Sequence, residues 1–347
     1  MNAQTIQSEG DNLQAYARAR EAWACANVSP LWESRVAHKA DDDGIEKPYI
    51  WRWSEMMPLV NDALALQSTK IAERRVLSLV SPHSPVVGEM AGTTLNLNAG
   101  LQILKPGETA RPHRHTMNAL RFVLSGEGAV TIVDGKECPM AEGDLVTTPG
   151  WCWHEHVHRG KEPIVWLDVL DASLHRYLGT DRFQPGPSND IPSLPADDAF
   201  TSASLVPDTG AWNHNYSPVF RYSAADAMKA VSVAPLARDG SRRIRYANPL
   251  NGAALMFSLD CYMIEIDAGV ETIAFRTSAN AVAAVVEGYG RSHIGSSRFD
   301  WVARDVFSLP RNNWITHRAE GGKARIFVTT DRDVLRRLDL LTEEYSA

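Results

Sequence analysis

The spacing of apolar residues near the N-terminus is typical of helices. From residue 11 to residue 32, alanine, leucine, tyrosine, arginine and glutamate recur at helical spacing, and Pro30 marks the end of this segment. A second helix is predicted over 56–66, with Ser54 as its N-cap, because a serine oxygen accepts a hydrogen bond from a free backbone N–H. We therefore expect residues 1–71 to form an N-terminal helical arm.

The pattern changes near residue 72, where short apolar runs alternate with glycine and proline. Such runs bounded by turn residues are typical of strands. Asp134–Gly135 is a hairpin signal, because both residues tolerate the positive φ angles of a tight turn. The predicted strands cover 76–80, 95–104 and 119–124. This half of the chain is therefore predicted to be mainly β, with one barrel over 72–180.

A polar connector follows this predicted barrel. Residues 184–190 are rich in proline, serine, aspartate and asparagine, which indicates a long linker with little regular structure over 181–240. Within it, Ser223–Ala230 resembles a short capped helix. The pattern of short apolar runs typical of strands then returns. Residues 241–347 are predicted to form a second barrel that ends in a C-terminal helix.

The second half of the chain repeats the first. The turn residues recur with an offset of 162 residues at the start, and of 161 residues after a hairpin that we expect to be shorter in the second copy. The recurring positions pair Gly107 with Gly269, Gly128 with Gly290, Asp144 with Asp305 and Trp153 with Trp314. The chain is therefore predicted to be a duplicated β-barrel unit.

Three histidines carry the main chemical signal. His113 and His115 project to one face of a strand, because side chains alternate across a strand, and the turn pattern returns the chain so that His154 lies beside them. Three imidazoles that meet at one point can hold one metal ion. A single histidine in an apolar strand is more often a core residue with satisfied hydrogen bonds. Metal content after purification without a chelator distinguishes the two interpretations.

The duplication provides an internal control for this interpretation. At the positions of the three histidines the second copy carries Phe275, Thr277 and Ile315, although its turn glycines are kept. Folding of the barrel therefore does not require the histidines. Only His317, which aligns with His156, is a histidine in both copies. We expect one metal-binding barrel and one metal-free, structural barrel.

Composition excludes several classes of function. The chain has 347 residues, of which 44% are hydrophobic and 22% charged, and its net charge is −7. No apolar run approaches the ~20 residues of a membrane helix, and no extended basic cluster offers a surface for nucleic acid. The first residues, Met1–Gln4, lack the basic and apolar regions of a secretory signal, so we expect a cytoplasmic protein. The four scattered cysteines are expected to be free thiols.

Two motifs resemble those of the cupins. Gly107 precedes His113 and His115 in the first motif, and Gly143 precedes His154 in the second. With the duplication, this resemblance implies a bicupin fold. A narrower set of segments is similar to the gentisate 1,2-dioxygenase and salicylate 1,2-dioxygenase family, and this likeness extends over most of the chain. These segments are Tyr49–Trp53, Glu73–Arg75, Pro112–Thr116, Ala119–Val123, Thr148–Trp151 and Trp166–Asp168.

The resemblance implies Fe(II) as cofactor, dioxygen as co-substrate and a homotetramer. Many cupins add a glutamate ligand where this chain has Ala119 and Leu120, so the site would have three neutral ligands. Three octahedral positions then stay open for a chelating acid and dioxygen. The implied reaction opens the ring of gentisate, or of a salicylate substituted at position 5, between the carboxyl- and hydroxyl-bearing carbons, in the catabolism of aromatic acids.

Other functions remain open from the sequence. One is a dioxygenase of the 1-hydroxy-2-naphthoate type. Another is a non-catalytic bicupin that binds a small acid or a sugar, which leaves the histidine triad unexplained. A third is a decarboxylase or isomerase that uses Mn(II) or Zn(II), for which the missing glutamate would usually be needed.

Three residues beside the triad are expected to act on the substrate. Strand alternation places Arg121 on the same inward face as His115, and its planar guanidinium suits a carboxylate. His156 is expected to hydrogen-bond or deprotonate the substrate hydroxyl, although the histidine at the matching position of the second copy keeps a structural role open. Arg74 matches a second family arginine near the substrate, and its alternative is a surface charge.

The resemblance assigns five further residues to substrate binding. Asn98 stands where a relative that accepts salicylate has tryptophan, so its small amide would enlarge the pocket and offer hydrogen bonds to a polar ring substituent. Asp168 would lie near the far edge of the ring, and its alternative is a hydrogen bond at a strand end. The complete set is Asn98, Gly100, Gln102, Trp166 and Asp168.

Overall fold

A computed structural model of the chain describes residues 3–30, 46–69, 74–87, 90–186, 194–202, 205–208, 210 and 212–347, without the side chains of 3–12, 87 and 90. The chain forms two compact units, Met1–Gly44 and Ile45–Ala347. The first contains helix α1 (Ala3–Cys25), which begins and ends earlier than the helix predicted over 11–32. The last two residues of that prediction lie outside the described residues.

The second unit is mainly β, as predicted. Its helices are α2 (Trp53–Leu66), α3 (Ala172–Leu178), α4 (Ala224–Val233) and α5 (Arg332–Arg337), and Asp197–Ala199 form a 3-10 turn. Its strands in chain order are β1 (Ile50–Trp51), β2 (Val76–Leu79), β3 (Val86–Val87), β4 (Met90–Ala91), β5 (Asn98–Leu104), β6 (Thr109–His115), β7 (Ala119–Ser125), β8 (Glu127–Val133), β9 (Lys136–Ala141), β10 (Leu145–Thr148), β11 (His154–His158), β12 (Ile164–Leu170), β13 (Phe183–Pro185), β14 (Arg221–Tyr222), β15 (Arg242–Tyr246), β16 (Asp260–Ile266), β17 (Phe275–Thr277), β18 (Ala281–Glu287), β19 (Tyr289–Ile294), β20 (Ser297–Val302), β21 (Val306–Leu309), β22 (Ile315–Ala319), β23 (Ala324–Thr330) and β24 (Glu343–Tyr345).

Each barrel consists of one six-stranded and one five-stranded antiparallel sheet. The first barrel has the strand orders β14-β10-β7-β12-β5-β2 and β13-β6-β11-β8-β9. The second has β1-β21-β18-β23-β16-β15 and β20-β19-β22-β17-β24. The same arrangement occurs twice, which confirms the bicupin fold. The predicted linker contributes β13 to the first barrel, and the segment after the C-terminal helix contributes β24 to the second.

The buried faces of the two six-stranded sheets share one hydrophobic core. Phe122 of the first sheet stacks on Phe327 of the second, with ring centroids 4.1 Å apart and an interplanar angle of 9°. Both rings are buried, and side chains from α2 and α4 join the same core. Each barrel encloses its own separate hydrophobic cluster.

The barrels also exchange their leading segments. Strand β1 precedes the first barrel but pairs with β21 of the second, whereas β14 precedes the second barrel but pairs with β10 of the first. A carboxylate of the receiving barrel then starts each following helix. Asp305 accepts a hydrogen bond from the Trp53 backbone N–H at 2.7 Å, and Asp144 accepts one from that of Ala224 at 2.8 Å. The predicted cap Ser54 therefore lies inside α2, whose N-cap is Arg52.

The one-residue change of offset has a different cause from the predicted one. Both hairpins have two-residue turns, since Val133 pairs with Lys136 and Ile294 pairs with Ser297. The extra residue is a β-bulge between Glu127 and Ala129, so Gly128 has no counterpart in the second barrel. Its φ of +90° favours glycine at this position.

Two further predictions concern single features. The four cysteines are free, as expected, and three of them are buried. Among the helices that the structure describes, none has the length and apolar character needed to cross a lipid bilayer.

We expect Phe327→Ala to destabilise both barrels together, because the Phe122–Phe327 stack lies in their shared core. Loss of a buried phenylalanine costs about 3–5 kcal/mol. Urea unfolding followed by tryptophan fluorescence should show one transition shifted by this amount. Val302→Ala, at an exposed position of the second barrel, serves as control and should change stability by less than about 0.5 kcal/mol. Two separate transitions in the Phe327→Ala variant would contradict a shared core.

A pH-dependent stability difference is expected for Glu46→Gln. Burial raises the pKa of Glu46 to about 7 from an ordinary value of 4.5. The protonated carboxyl is therefore favoured in the folded chain. The stability that this group contributes is complete below about pH 4.5 and is lost as the pH rises through about 7. The free energy of unfolding of the variant, relative to the native protein, should rise from pH 5 to pH 8. A difference that does not change with pH would rule out this linkage.

Candidate metal and substrate site

Two neighbouring strands of the first barrel position the three histidines. His113 on β6 pairs directly with His154 on β11, and His115 follows His113 by two residues on the same face. All three side chains are buried. Their candidate ligand nitrogens lie within 4.8 Å of one another. The structure therefore brings together the three residues that the sequence predicts as ligands.

Backbone carbonyls orient each of these imidazoles. The Nδ1 atoms of the three rings lie 2.9 Å from the Arg111 carbonyl for His113, 2.9 Å from the Met117 carbonyl for His115, and 3.0 Å from the Cys152 carbonyl for His154. A carbonyl oxygen only accepts a hydrogen bond, so each Nδ1 must carry the hydrogen. Each Nε2 therefore has a free lone pair. In such an arrangement Nε2 is the atom that binds a metal ion.

The histidines are also held in the neutral form. Burial lowers the pKa of His113 to about 3 and that of His115 to about 4, and it holds the pKa of His154 well below its usual value. The nearby guanidinium groups of Arg74 and Arg121 add to this effect. Neutral imidazole is the form that binds metal, so the ligand set is ready at neutral pH.

The donor set fits a first-row transition metal. Imidazole nitrogen suits zinc, copper, iron and nickel, whereas calcium and magnesium prefer oxygen ligands. His154 Nε2 is buried and has no hydrogen-bond partner among the described residues. His113 Nε2 accepts from the Arg74 guanidinium at 2.9 Å, which again requires a lone pair on that nitrogen.

Arg121 lies beside the triad on β7, as strand alternation predicts. Its side chain is buried, it donates to the Thr148 hydroxyl, and its Nε is 3.5 Å from an Asp168 carboxylate oxygen. The Trp166 indole donates to the same carboxylate at 3.0 Å. Burial raises the pKa of Asp168, and the Arg121 charge opposes this shift. Asp168, which the Trp166 indole holds in place, thus partly neutralises the buried arginine.

His156 lies two residues beyond His154 on β11. Its ring centroid is 6.2 Å from that of His154 and 5.2 Å from that of Trp166. Its Nδ1 lies 2.9 Å from the Thr131 hydroxyl, and that hydroxyl is also 3.1 Å from the Met140 sulfur. Burial holds the pKa of His156 well below its usual value.

Four buried nitrogen atoms on the strands of this barrel have no hydrogen-bond partner among the residues that the structure describes. Buried polar atoms are nearly always hydrogen-bonded, so such a group indicates a site that takes a ligand. Gln102 is paired in the sheet with Trp166, which contacts His156, so the atoms belong to one region. They are Gln102 Nε2, Arg121 Nε, His154 Nε2 and His156 Nε2.

A cavity of about 200 Å³ borders this region. Arg74, Asn98, His115 and Phe183 line it, whereas Arg121 and the remaining predicted residues do not. The Asn98 side-chain oxygen accepts from both the backbone and the hydroxyl of Ser173, at 2.8 Å each, at the start of α3. Only the amide nitrogen of Asn98 is therefore available for a substrate.

Gly100 has a structural reason to be glycine. A Cβ added here would lie 2.7 Å from the Val76 side chain and 3.2 Å from the Leu77 carbonyl oxygen, both on β2. Close packing of β5 against β2 thus requires glycine whether or not a ligand is bound. Its assignment to substrate binding stays a prediction.

Three residues of the site escaped the sequence analysis. Thr131 is the hydrogen-bond partner of His156, and Thr148 is that of Arg121. Their positions on neighbouring strands were the sequence signal that could have identified them. Phe183 stacks on His113 with centroids 5.3 Å apart. It pairs with His115 through β13, which lies in the polar connector, whose composition gave no strand signal.

Comparison with known proteins agrees with this geometry. Residues 100–170 match the cupin domain family. The chain is 32% identical over 327 residues to a gentisate 1,2-dioxygenase of Aquipseudomonas alcaligenes, covering 91% of this chain and 92% of the relative. It is 31% identical over 336 residues to a 5-aminosalicylate 1,2-dioxygenase of a Comamonas species, covering 93% and 88% of the two chains.

Solved structures point to the same family. The crystal structure of the salicylate 1,2-dioxygenase of Pseudoaminobacter salicylatoxidans with gentisate superposes with a TM-score of 0.86 and 28% identity. The match covers 97% of this chain and 94% of that one. Together with the sequence relatives, which extend over most of the chain, this likeness confirms the predicted resemblance. The chain belongs to the family of ring-cleaving gentisate and salicylate 1,2-dioxygenases.

Proposed function

We propose that the protein opens the ring of gentisate or of a 5-substituted salicylate, with Fe(II) held by His113, His115 and His154 and dioxygen as co-substrate. The bond cleaved lies between the carboxyl- and hydroxyl-bearing carbons, and both oxygen atoms enter the product. The group of four unpartnered buried nitrogens beside a neutral histidine triad carries this proposal. Gln102 Nε2 and Arg121 Nε are donors that suit ligand oxygen atoms, whereas the lone pair of His154 Nε2 suits the metal ion and that of His156 Nε2 suits a hydroxyl hydrogen.

The ligand set determines the charge that the substrate meets. Because all three ligands are neutral, a divalent ion would keep its full charge for an anionic substrate. When bound, Fe(II) would supply open coordination positions for the carboxylate and hydroxyl oxygens and for dioxygen, together with the electrons that dioxygen activation requires.

Two arginines are suited to the substrate carboxylate. Arg121 is buried, and its ion pair with Asp168 is loose at 3.5 Å, so its Nε remains available to a ligand. Arg74 borders the cavity, and metal binding at His113 Nε2 would release the guanidinium from that nitrogen to face the entering acid. Charge-assisted hydrogen bonds in a water-poor site orient the ring and hold its carboxyl-bearing carbon in place.

His156 is suited to accept the hydrogen of the substrate hydroxyl. If Thr131 donates to the Met140 sulfur, it accepts the Nδ1 hydrogen of His156, and both hydrogens are satisfied. The opposite tautomer would leave a buried Nε2–H without an acceptor, which is costly. Nε2 therefore carries a lone pair that can take a proton.

The proposed surroundings of the substrate ring remain those assigned from the sequence: Asn98, Gly100, Gln102, Trp166 and Asp168.

We also propose that the protein works as a homotetramer in the cytoplasm. The family resemblance supports the tetramer, and the four free cysteines agree with a reducing compartment. Light scattering after size-exclusion chromatography measures the mass in solution. A monomeric mass at micromolar concentration would contradict the tetramer.

The first test combines metal removal with a substrate panel. Protein loaded with Fe(II) without oxygen should consume dioxygen when given gentisate, salicylate, 5-aminosalicylate or 1-hydroxy-2-naphthoate, and should form a strongly absorbing ring-opened keto acid. Chelation should abolish the reaction, and Fe(II) should restore it. Absence of oxygen uptake with every acid would contradict the proposal, and preference for the naphthoate would assign the alternative substrate.

Matched histidine variants test the ligand assignment. His154→Ala should lose metal and activity together, because two imidazoles hold the ion poorly. His158→Ala is the control, since His158 lies on the same strand but its two ring nitrogens are used elsewhere. Its Nε2 donates to the Glu162 carbonyl at 2.7 Å, and its Nδ1 accepts from the Gly160 backbone N–H at 3.2 Å. Metal content by atomic absorption should fall in the first variant and not in the second. Equal metal content in both would remove His154 from the ligand set.

A second pair of variants tests the carboxylate partner. Arg121→Gln should keep iron and raise KM about thirtyfold, which corresponds to about 2 kcal/mol, because it removes a charge-assisted pair. Arg159→Gln is the control, because this arginine is exposed and pairs with Glu137 on the surface. Steady-state kinetics with gentisate measures both. Unchanged KM and kcat in Arg121→Gln would overturn the assignment.

A further inference from the structure

The second barrel encloses a cavity of its own. Its volume is about 290 Å³, larger than the 200 Å³ cavity beside the triad. Its lining includes Phe275, Thr277 and Ile315, which occupy the positions of the three histidines. The second barrel has therefore lost the candidate ligands but has kept an interior space close in size to small-molecule sites, which start at about 300 Å³.

His317 borders this cavity and presents a hydrogen-bond donor. Its Nδ1 lies 2.7 Å from the Ser292 hydroxyl oxygen, which also accepts from the Trp301 indole N–H at 2.8 Å. The Ser292 hydrogen has no other acceptor within the described parts of the chain, so it is donated to Nδ1. Burial lowers the pKa of His317 to about 4, so the ring is neutral at pH 7. Its single hydrogen must therefore be on Nε2.

A partly free guanidinium lies near this histidine. Arg243 donates from its Nε to Ser241 and from its Nη2 to Asp239, and its Nη1 has no hydrogen-bond partner among the residues that the structure describes. The guanidinium also lies 5.8 Å from the centre of the Phe275 ring. Two donors, one neutral and one charged, thus face a cavity that has an aromatic side chain in its wall.

The charges and walls of the cavity select its ligand. Three arginines border it, and each is paired with a carboxylate: Arg243 with Asp239, Arg245 with Asp260 and Arg332 with Glu343. The unused Arg243 Nη1 is therefore the charged donor that the cavity offers to an anion. Apolar side chains form much of the remaining lining, and they include Ile264, Ala281, Leu309, Ile315 and Val328. An apolar space with a small number of convergent donors fits a flat apolar group that carries an anion.

We propose that the second barrel binds a monocyclic aromatic carboxylate without a metal ion. The carboxylate accepts hydrogen bonds from His317 Nε2 and Arg243 Nη1, and the ring packs against Phe275 and Ile315. This site is separate from the histidine triad and does not require turnover. It gives the duplicated barrel a binding role besides its structural one.

Benzoate is a suitable probe, because it has the ring and the anion but lacks the hydroxyl needed for chelation. Binding is measured by calorimetry on the full-length Arg121→Gln protein, in which the proposed carboxylate partner of the first barrel is removed. We expect saturable binding at one site per chain. Benzamide, which lacks the charge, and acetate, which lacks the ring, should each bind at least about tenfold more weakly.

Two additional variants in this background locate the site. Arg243→Gln should weaken benzoate binding at least about tenfold, and Ile315→Phe should do the same by filling the cavity. Far-ultraviolet circular dichroism and thermal unfolding establish that each variant is folded, and if one is not, the other decides. Native-like binding in a folded variant of either kind would overturn the proposal. Absence of saturable binding in the Arg121→Gln protein up to about 10 mM benzoate would also overturn it.

Discussion

The register between β6 and β11 is the constraint on which the site depends. His113 lies directly opposite His154, and this pairing alone brings nitrogens from distant parts of the chain within ligand distance. A slip of one residue would turn every side chain of the strand to the other face. The register is fixed from both sides, because β11 also pairs with β8 and β6 also pairs with β13. The chemistry of the barrel thus rests on ordinary strand pairing.

The second barrel stabilises this arrangement from a distance. Its six-stranded sheet covers the outer face of the sheet that carries Arg121, and the stacked Phe122 and Phe327 lie between them. Hydrogen bonds at the ends of the sheets also join the two barrels. Asp171 accepts from Asn118 and from Ser258 of the second barrel. Asp331 accepts from Asn280 and from Asn96 of the first barrel. Since each barrel also supplies an edge strand to the other, neither has a complete sheet on its own.

Local patterns predicted the site better than they predicted its surroundings. Strand alternation predicted the positions of the three histidines and of Arg121. These positions depend only on the two-residue period of a strand and on the number of turns between the strands. The exchange of β1 and β14 was not predictable in this way, since a two-residue strand has no period and its partner lies far along the chain. Ser54 shows the same limit. A local capping signal was overridden by Asp305 from the other barrel.

Glycine positions mark another boundary of sequence reasoning. Gly128 and Gly290 are spaced as repeats, yet Gly128 forms a bulge and Gly290 continues a regular strand. A glycine is compatible with both a bulge and a regular strand, so the residue type alone does not distinguish them. Phe183 likewise reaches the site from a segment whose composition indicates a linker. In both cases pairing with a neighbouring strand, which composition does not encode, decides the structure.

Two residues around the shared histidine position differ between the barrels, Thr131 against Ser292 and Met140 against Trp301, and the second difference sets the direction of the histidine hydrogen bond. His156 and His317 each contact a hydroxyl, of Thr131 and Ser292 respectively. In the first barrel that hydroxyl meets the Met140 sulfur, which only accepts, so the hydroxyl can receive the histidine hydrogen. In the second barrel it meets the Trp301 indole, which only donates, so the hydroxyl gives its hydrogen to the histidine. The exchange of a sulfur for an indole therefore moves the imidazole hydrogen from Nδ1 to Nε2. An acceptor beside the histidine triad suits a substrate hydroxyl, whereas a donor in the cavity of the second barrel suits an anion.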